Sequence, residues 1–230
     1  MHRFFVDPAS MAADRFPIPS EIAHQVGRVL RLRDGDVITL LDGVGGQARC
    51  RLVDGGCEVE ARGPAGGEPR HHLVVWQARL RGDHLEPVIR HGTEVGVARF
   101  ALMTTERSVA RDMSPRRLER LRAVAREAAE QSERGVVPSV DAPLPFAQVL
   151  AQAPPGSVLL FERENGVRLS QVALPQAVFI GPEGGFSLDE VGAAHDAGVV
   201  IAGLGPRILR SQTVAVAVAA VILSRAGDFA

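Results

Sequence analysis

The stretch FIGPEGGFSLDE, residues 179–190, decides how this chain is read. An apolar run through Phe179 and Ile180 ends in a turn built from Gly181, Pro182, Gly184 and Gly185. Ser187 and Glu190 then stand three apart, the spacing of a capping box, so a helix starts there. A strand, a glycine turn and a helix start make the repeating step of a parallel α/β sheet, whose ligands gather outside the carboxyl ends of its strands. Such a turn can cradle a phosphate at the helix N-terminus. Three features speak against that reading. The chain contains no lysine, the stretch carries neither G-x-x-x-x-G-K-[ST] nor G-x-G-x-x-G, and Glu183 would repel an anion. The glycines instead suit a ligand that approaches the backbone, and Glu183 suits one that carries positive charge.

Working outward, residues 73–230 alternate apolar runs with helical patterns. HLVVWQARL, ARFALM, VVPSV, SVLLFE, QAVFI and residues 199–204 read as strands. Residues 83–97 read as a helix with Pro87 in its first turn. SPRRLERLRAVAREAAEQSERG is the clearest helix. Ser114 caps it, Pro115 takes the first helical position, Leu118, Leu121, Ala125 and Ala128 form its apolar stripe, and Gly135 ends it. Helices follow at 187–197 and 211–225. TVAVAVAA alternates as a strand would, but its length and alanine content favour a buried helix. This pattern predicts an α/β domain with a mainly parallel sheet.

The first 67 residues have a different texture. Short apolar runs alternate around Asp-Gly and Gly-Gly pairs, which signal hairpins. One short helix fits residues 20–30, with Ser20 as its N-cap. Gly, Pro and charge concentrate over residues 61–72. The expected division is therefore a small β unit at 1–68 and an α/β domain at 69–230.

Composition narrows the class. The 26 basic residues, all arginine, nearly cancel 27 acidic ones, for a net charge of −1. Any nucleic-acid contact must then come from local patches rather than bulk charge. Arginine offers a planar donor fork that suits phosphates and base edges. Cys50 and Cys57 have neither CxxC spacing nor a nearby histidine pair, so neither a zinc site nor a disulfide framework is expected, and a reducing cytoplasm fits. MHRFFVDPAS has no long apolar run, and TVAVAVAAVIL is too short to span a bilayer. No membrane and no metal are expected.

A second strand-turn-helix step, LGPRILRSQT at residues 204–213, places Arg207 and Arg210 at a helix start. Cations are locally unfavourable there, so an anionic partner is a natural reading, with solvated arginines as the alternative. IGPEGGFSLDE followed by LGPRILRSQT resembles the RsmE-type methyltransferases of the SPOUT superfamily, which methylate N3 of a uridine in small-subunit (16S) ribosomal RNA. RFFVD, VGRVLRLRDGDVITLLDG, EVGV and EAAEQSERGVVP are similar to that family in the same order, so the likeness spans nearly the whole chain.

The resemblance implies a SPOUT-type α/β domain with a C-terminal trefoil knot and an N-terminal PUA-like β-barrel that holds RNA. It implies S-adenosylmethionine as cofactor, bound among the knot loops by Leu159, Phe161, Ile180, Gly181, Pro182, Gly184, Gly185, Leu204, Gly205, Ile208 and Leu209. It also implies a homodimer with the last helix in the interface, and 16S RNA or the assembled 30S subunit as partner. Arg3, Arg28, Arg31, Arg33 and Arg207 are the expected RNA contacts. Arg116, Arg117, Arg120 and Arg126 on the long helix are either further contacts or a solvated face. The catalytic candidates are Arg210, Glu183 and Gln212. The family usually reads Arg-Thr-Glu-Thr where this chain has Arg210-Ser211-Gln212-Thr213, and an amide cannot accept a proton as a carboxylate would. Two alternatives follow: an impaired RNA-binding member of the family, or a SPOUT methyltransferase acting on another RNA. A phosphate-handling α/β enzyme fits poorly without lysine.

Overall fold

Asp54 and Gly55 both take positive φ, 51° and 71°. These are the angles of the primed two-residue turn that Asp-Gly favours, whose twist matches that of paired strands. The computed structural model, which describes residues 2–108, 113–164 and 166–229, shows the hairpin built on that turn. The described residues fall into two compact units, one drawn from 1–68 with 129–137 and one from 69–128 with 138–230.

In the first unit, β1 (His2–Phe5), β2 (Arg15–Pro17), β3 (Val37–Leu41), β4 (Gly46–Val53) and β5 (Gly56–Pro64) form one sheet in the order β1-β3-β4-β5-β2. β1 runs parallel to β3 and the other neighbours are antiparallel. Alternate residues of β4 (Ala48, Cys50 and Leu52) point into a core with Phe4, Ile38, Leu40 and Cys57. Ile22 from α1 (Ser20–His24) and Val26 beyond it close that core. Ser20 is not the N-cap expected from the sequence. Pro19 holds the cap position without a side-chain bond, and Ser20 is the first helical residue. Gln25–Val29 continues in a wider turn, with Leu30 N–H donating to Gln25 O at 2.9 Å. Arg31, at φ 54°, ends it.

The second unit carries β6 (Val74–Ala78), α2 (Leu85–Val95), β7 (Arg99–Thr104), α3 (Pro115–Gln131), β8 (Ser139–Pro145), α4 (Phe146–Leu150), β9 (Val158–Leu160), β10 (Ala177–Ile180), α5 (Leu188–Asp196), β11 (Val200–Ala202) and α6 (Ser211–Arg225). The last turn of α3 belongs to the first unit. The sheet order is β11-β9-β10-β6-β7-β8, and every pairing is parallel. Trp76 and Phe179 lie side by side on β6 and β10 and stack at 6.0 Å. Phe146 and Phe186 extend that core. α2 packs on α6, and a Cβ on Gly92 would strike the ring of Phe100, so α2 can approach β7 only because that position is glycine.

TVAVAVAA is helical. The buried residues of α6 (Ala215, Val218, Ala219, Ile222 and Leu223) recur at spacings of three and four, which a strand could not place on one face. Ser114 caps α3 as expected, its Oγ accepting from Arg117 N–H at 3.3 Å. Gly135 does not end the helix. Glu133 takes the left-handed conformation at φ 59°, and Arg134 N–H donates to Ala129 O at 2.9 Å. Gly135 matters for another reason: a Cβ there would collide with that of Ala65.

Candidate active site

Strands β6, β7 and β8 build the sheet outward in one direction, and β9, β10 and β11 build it in the other. The loops beyond the carboxyl ends of β9, β10 and β11, with the start of α6, surround a cavity of about 500 Å³. That is where open α/β sheets bind ligands, and the volume is in the range of small-molecule sites.

Two glycine loops face each other across this cavity. One brings Ile180, Gly181, Pro182, Glu183, Gly184 and Gly185; the other brings Leu204, Gly205, Arg207, Ile208, Leu209, Arg210 and Gln212. Phe161 lines the cavity too, but Leu159 does not. It is fully buried in the sheet core, and Leu160, which the strand alternation turns the other way, lines the cavity instead. The loops are tied by a buried polar chain. Gln77 Nε2 donates to Ser211 Oγ at 3.0 Å, and Ser211 Oγ donates to Gly181 O at 2.6 Å. Gly185 closes the turn with its N–H on Pro182 O at 3.0 Å, at φ 69°, where a side chain would be strained and would meet the Glu162 carboxylate. Ser187 and Glu190 form the expected capping box.

Arg107, which the sequence reading missed, clamps the first loop from outside. Its Nη1 donates to Gly184 O at 3.0 Å and Phe186 O at 3.3 Å. Glu190 also accepts from Glu106 N–H at 2.8 Å. His84, Glu162, Phe186, Ser211 and Val214 line the cavity as well and were not anticipated. The capping box was legible as a local spacing. His84 and Arg107 come from distant segments, and no local pattern marks them.

Glu183 is not a loose carboxylate. Its Oε1 accepts from Arg81 N–H at 3.0 Å and pairs with His84 Nδ1 at 3.2 Å. Burial pushes its pKa up, but the backbone N–H bonds of Glu183 and Arg81 and the bond from His84 together outweigh that and hold it below the ordinary carboxylate value. Such an acid holds a proton weakly and is better suited to orienting donors than to abstracting protons. Arg207 and Arg210 are exposed at the cavity, and neither side chain bonds to any described residue. The site therefore has apolar walls, backbone polar edges, two carboxylates and an unpaired cationic rim.

Of the other arginines, Arg28, Arg31 and Arg33 are exposed, with guanidinium groups unpaired among the described residues. Arg3 differs. Its side chain is only 18% exposed and stands 3.7 Å from Glu133, so it is not presented to a partner as the other three are. On α3, Arg117 donates to Gly82 O and Arg120 pairs with Glu86 at 2.7 Å. Those two fasten α3 to the segment before and within α2, with the Arg120 side chain still largely exposed. Arg126 also has an interaction partner, and Arg116 is exposed. Among the described residues no cluster of His, Cys, Asp or Glu could hold a metal ion, and no helix is long and apolar enough to cross a membrane.

Comparison with known proteins gives two family matches: an RNA methyltransferase domain over residues 67–223 and an RNA methyltransferase PUA domain over residues 18–60. The chain is 34% identical to the ribosomal RNA small subunit methyltransferase E of Synechocystis sp., covering 92% of this chain and 74% of that protein. It is also 34% identical to the protein of that name from Mycobacterium bovis, covering 92% and 87%. Its fold superposes on the crystal structure of a ribosomal RNA small subunit methyltransferase E from Neisseria gonorrhoeae bound to S-adenosyl methionine, with a TM-score of 0.88, 26% identity and 98% of both chains covered.

Proposed function

The chain belongs to the ribosomal RNA small subunit methyltransferase E family, and from that premise we propose that it methylates N3 of a uridine in 16S ribosomal RNA, with S-adenosylmethionine as donor. The observation that carries the reading is the cavity between the two glycine loops. Its residues fit the cofactor: apolar Leu160, Ile180, Phe186 and Val214 suit the adenosine, loop amides and carbonyls suit its polar edges, and Glu162 and Glu183 suit its positive charge. When bound, the cofactor supplies an electrophilic methyl group on a sulfonium.

The chain's own residues supply positioning and electrostatics. Arg210, unpaired at the start of α6, offers a cation to the uracil anion that forms as N3 loses its proton. Gln212 offers an amide hydrogen bond to the same base. Glu183 orients the Arg81–His84 segment. Arg207 and the cluster Arg28, Arg31 and Arg33 hold RNA phosphates. The target nitrogen is paired inside a duplex, so the base must be unpaired or flipped out.

The reading extends to a trefoil knot. Supporting it, β10 is inserted between β9 and β6, and α6 returns after β11 to bond Gly181 and Gln77. It extends to a barrel-shaped PUA-like unit at 1–68 and a methyltransferase domain at 69–230. A homodimer through α6, supported by half-exposed Val221 on that helix, and a cytoplasmic place beside the 30S subunit complete it.

Replacing Arg210 with Ala tests the assignment. Transfer of labelled methyl to small-subunit RNA should fall at least tenfold while cofactor binding, followed by calorimetry, stays within a few-fold. Turnover near that of the unaltered protein would exclude an essential role for Arg210. One observation favours a second reading: Gln212 lines the cavity where the family usually has a carboxylic acid. A protein that binds 16S RNA but transfers no methyl to it would establish the impaired alternative.

A further inference from the structure

We propose that His84 is the general base that takes the N3 proton, with Glu183 as the carboxylate that orients it; this rests on the methyltransferase reading above. The reaction needs a proton acceptor, and the cavity offers few. Arginines stay protonated. Gln212 is an amide. Glu183 already accepts two hydrogen bonds on Oε1. Glu162 lines the cavity with no orienting partner among the described residues.

His84 differs from all of these. It lines the cavity, and its Nδ1 stands 3.2 Å from Glu183 Oε1. A carboxylate at Nδ1 fixes the tautomer with the proton on that nitrogen and leaves Nε2 as the acceptor. Nε2 bonds to no described residue. The backbone that carries the ring is anchored: His84 immediately precedes α2, whose first residue, Leu85, is buried, and Glu183 also holds Arg81 N–H at 3.0 Å, while the ring itself is half exposed. Imidazole as a class is the side chain best matched to proton transfer at neutral pH.

The step balances. The uridine N3–H bond breaks and its proton passes to His84 Nε2. The N3 electron pair forms the bond to the methyl carbon as the carbon–sulfur bond breaks, and that bond's electrons remain on sulfur. The imidazolium, stabilised by Glu183, then returns its proton to solvent.

Charged groups surround His84 from several elements. Arg81, Asp83 and Glu86 lie on its own segment, and Glu183 faces it from the loop after β10. Arg117 from α3 bonds Gly82 O, and Arg120 pairs with Glu86. Glu162, Arg207 and Arg210 share the cavity.

The test pairs a magnetic-resonance measurement with kinetics on the full chain. Imidazole ¹⁵N shifts, assigned by the signal lost in His84→Gln, should show a neutral ring protonated on Nδ1. A proton on Nε2 overturns the proposal. In single-turnover methyl transfer to small-subunit RNA, His84→Gln should slow the chemical step by about 10²–10⁴-fold and abolish the acid limb of the pH profile. Its affinity for S-adenosylmethionine, by calorimetry, should stay within about threefold. Glu183→Gln should keep the acid limb but displace it. If His84→Gln transfers methyl at the unaltered rate with the acid limb intact, the proposal fails while the functional reading stands. If the unaltered protein binds S-adenosylmethionine but methylates no RNA, both fail together.

Discussion

Cys50 and Cys57 sit on adjacent strands of the first unit with no exposure, as free thiols. Burial is the main reason that the Cys50 thiol is pushed from 9.0 up to about 11, and neighbouring Cys57 and Glu60 add to it against Arg62. The unfolded chain thus ionises Cys50 at lower pH than the folded one does. The stability this contributes is complete below pH 9 and is lost as pH rises through about 11, amounting to about 3 kcal/mol. Urea unfolding between pH 8 and 11 should show a steep alkaline loss in the unaltered protein and a shallower one in Cys50→Ala. Equal slopes would mean that the buried thiol is not what titrates. Cys57, also raised by burial, keeps the slope of the variant from vanishing. That both cysteines are core residues was not legible in the sequence. Their number and spacing argued against a metal site and a disulfide framework, and two inward positions on paired strands look like any two positions until the register is known.

At the scale of elements, the sequence spoke clearly where a residue type is tied to a local geometry. Asp54-Gly55 made a hairpin, Ser187 and Glu190 made a capping box, and Ser114-Pro115 started α3. It misled where the geometry is paid for by packing. Glycine was expected to end α3, yet Glu133 takes the left-handed conformation there. A non-glycine residue in that region carries about 1–2 kcal/mol of strain. Gly in the unfolded chain is freer, which cancels part of the relief. Glu133→Gly should therefore stabilise the protein by about 0.5–1 kcal/mol, read as a higher denaturant midpoint at unchanged slope. The exposed Glu133 pairs with Arg3 only at 3.7 Å, a contact worth too little to reverse the sign. A loss of 1 kcal/mol or more would show that the Glu133 side chain holds something besides its backbone angle. The alternation in TVAVAVAA was settled in the same way, by a buried face that only a helix of that length could make.

For the whole molecule, the alternation of strands and helices predicted a parallel sheet, but nothing local predicted β10 inserted between β9 and β6. That order depends on long-range pairing, and it is what brings the two glycine loops, residues 180–185 and 204–212, to one cavity. The same limit applies to charge. A net charge of −1 hides any local excess, and only the structure separates arginines that fasten elements together, such as Arg117, Arg120 and Arg134, from those left unpaired. Arg28, Arg31 and Arg33 are of the second kind, gathered where the turn after α1 ends, beside exposed Val29 and Leu30. If they hold phosphates, each contact releases counterions, and the logarithm of affinity falls against the logarithm of salt by about 0.7 per contact on single-stranded RNA. Replacing Arg31 and Arg33 together with Gln should then flatten that slope by about 1.4 and weaken binding most at low salt. Binding should converge with that of the unaltered protein as salt rises, because the contacts removed are the ones that salt screens. Replacing Arg117 and Arg120 should leave the slope nearly unchanged and lower thermal stability instead, because Arg117 is tied to Gly82 O and Arg120 already has Glu86 as its counter-ion. A slope that the first pair leaves untouched, or that the second pair flattens equally, would place the RNA on a different face of the protein.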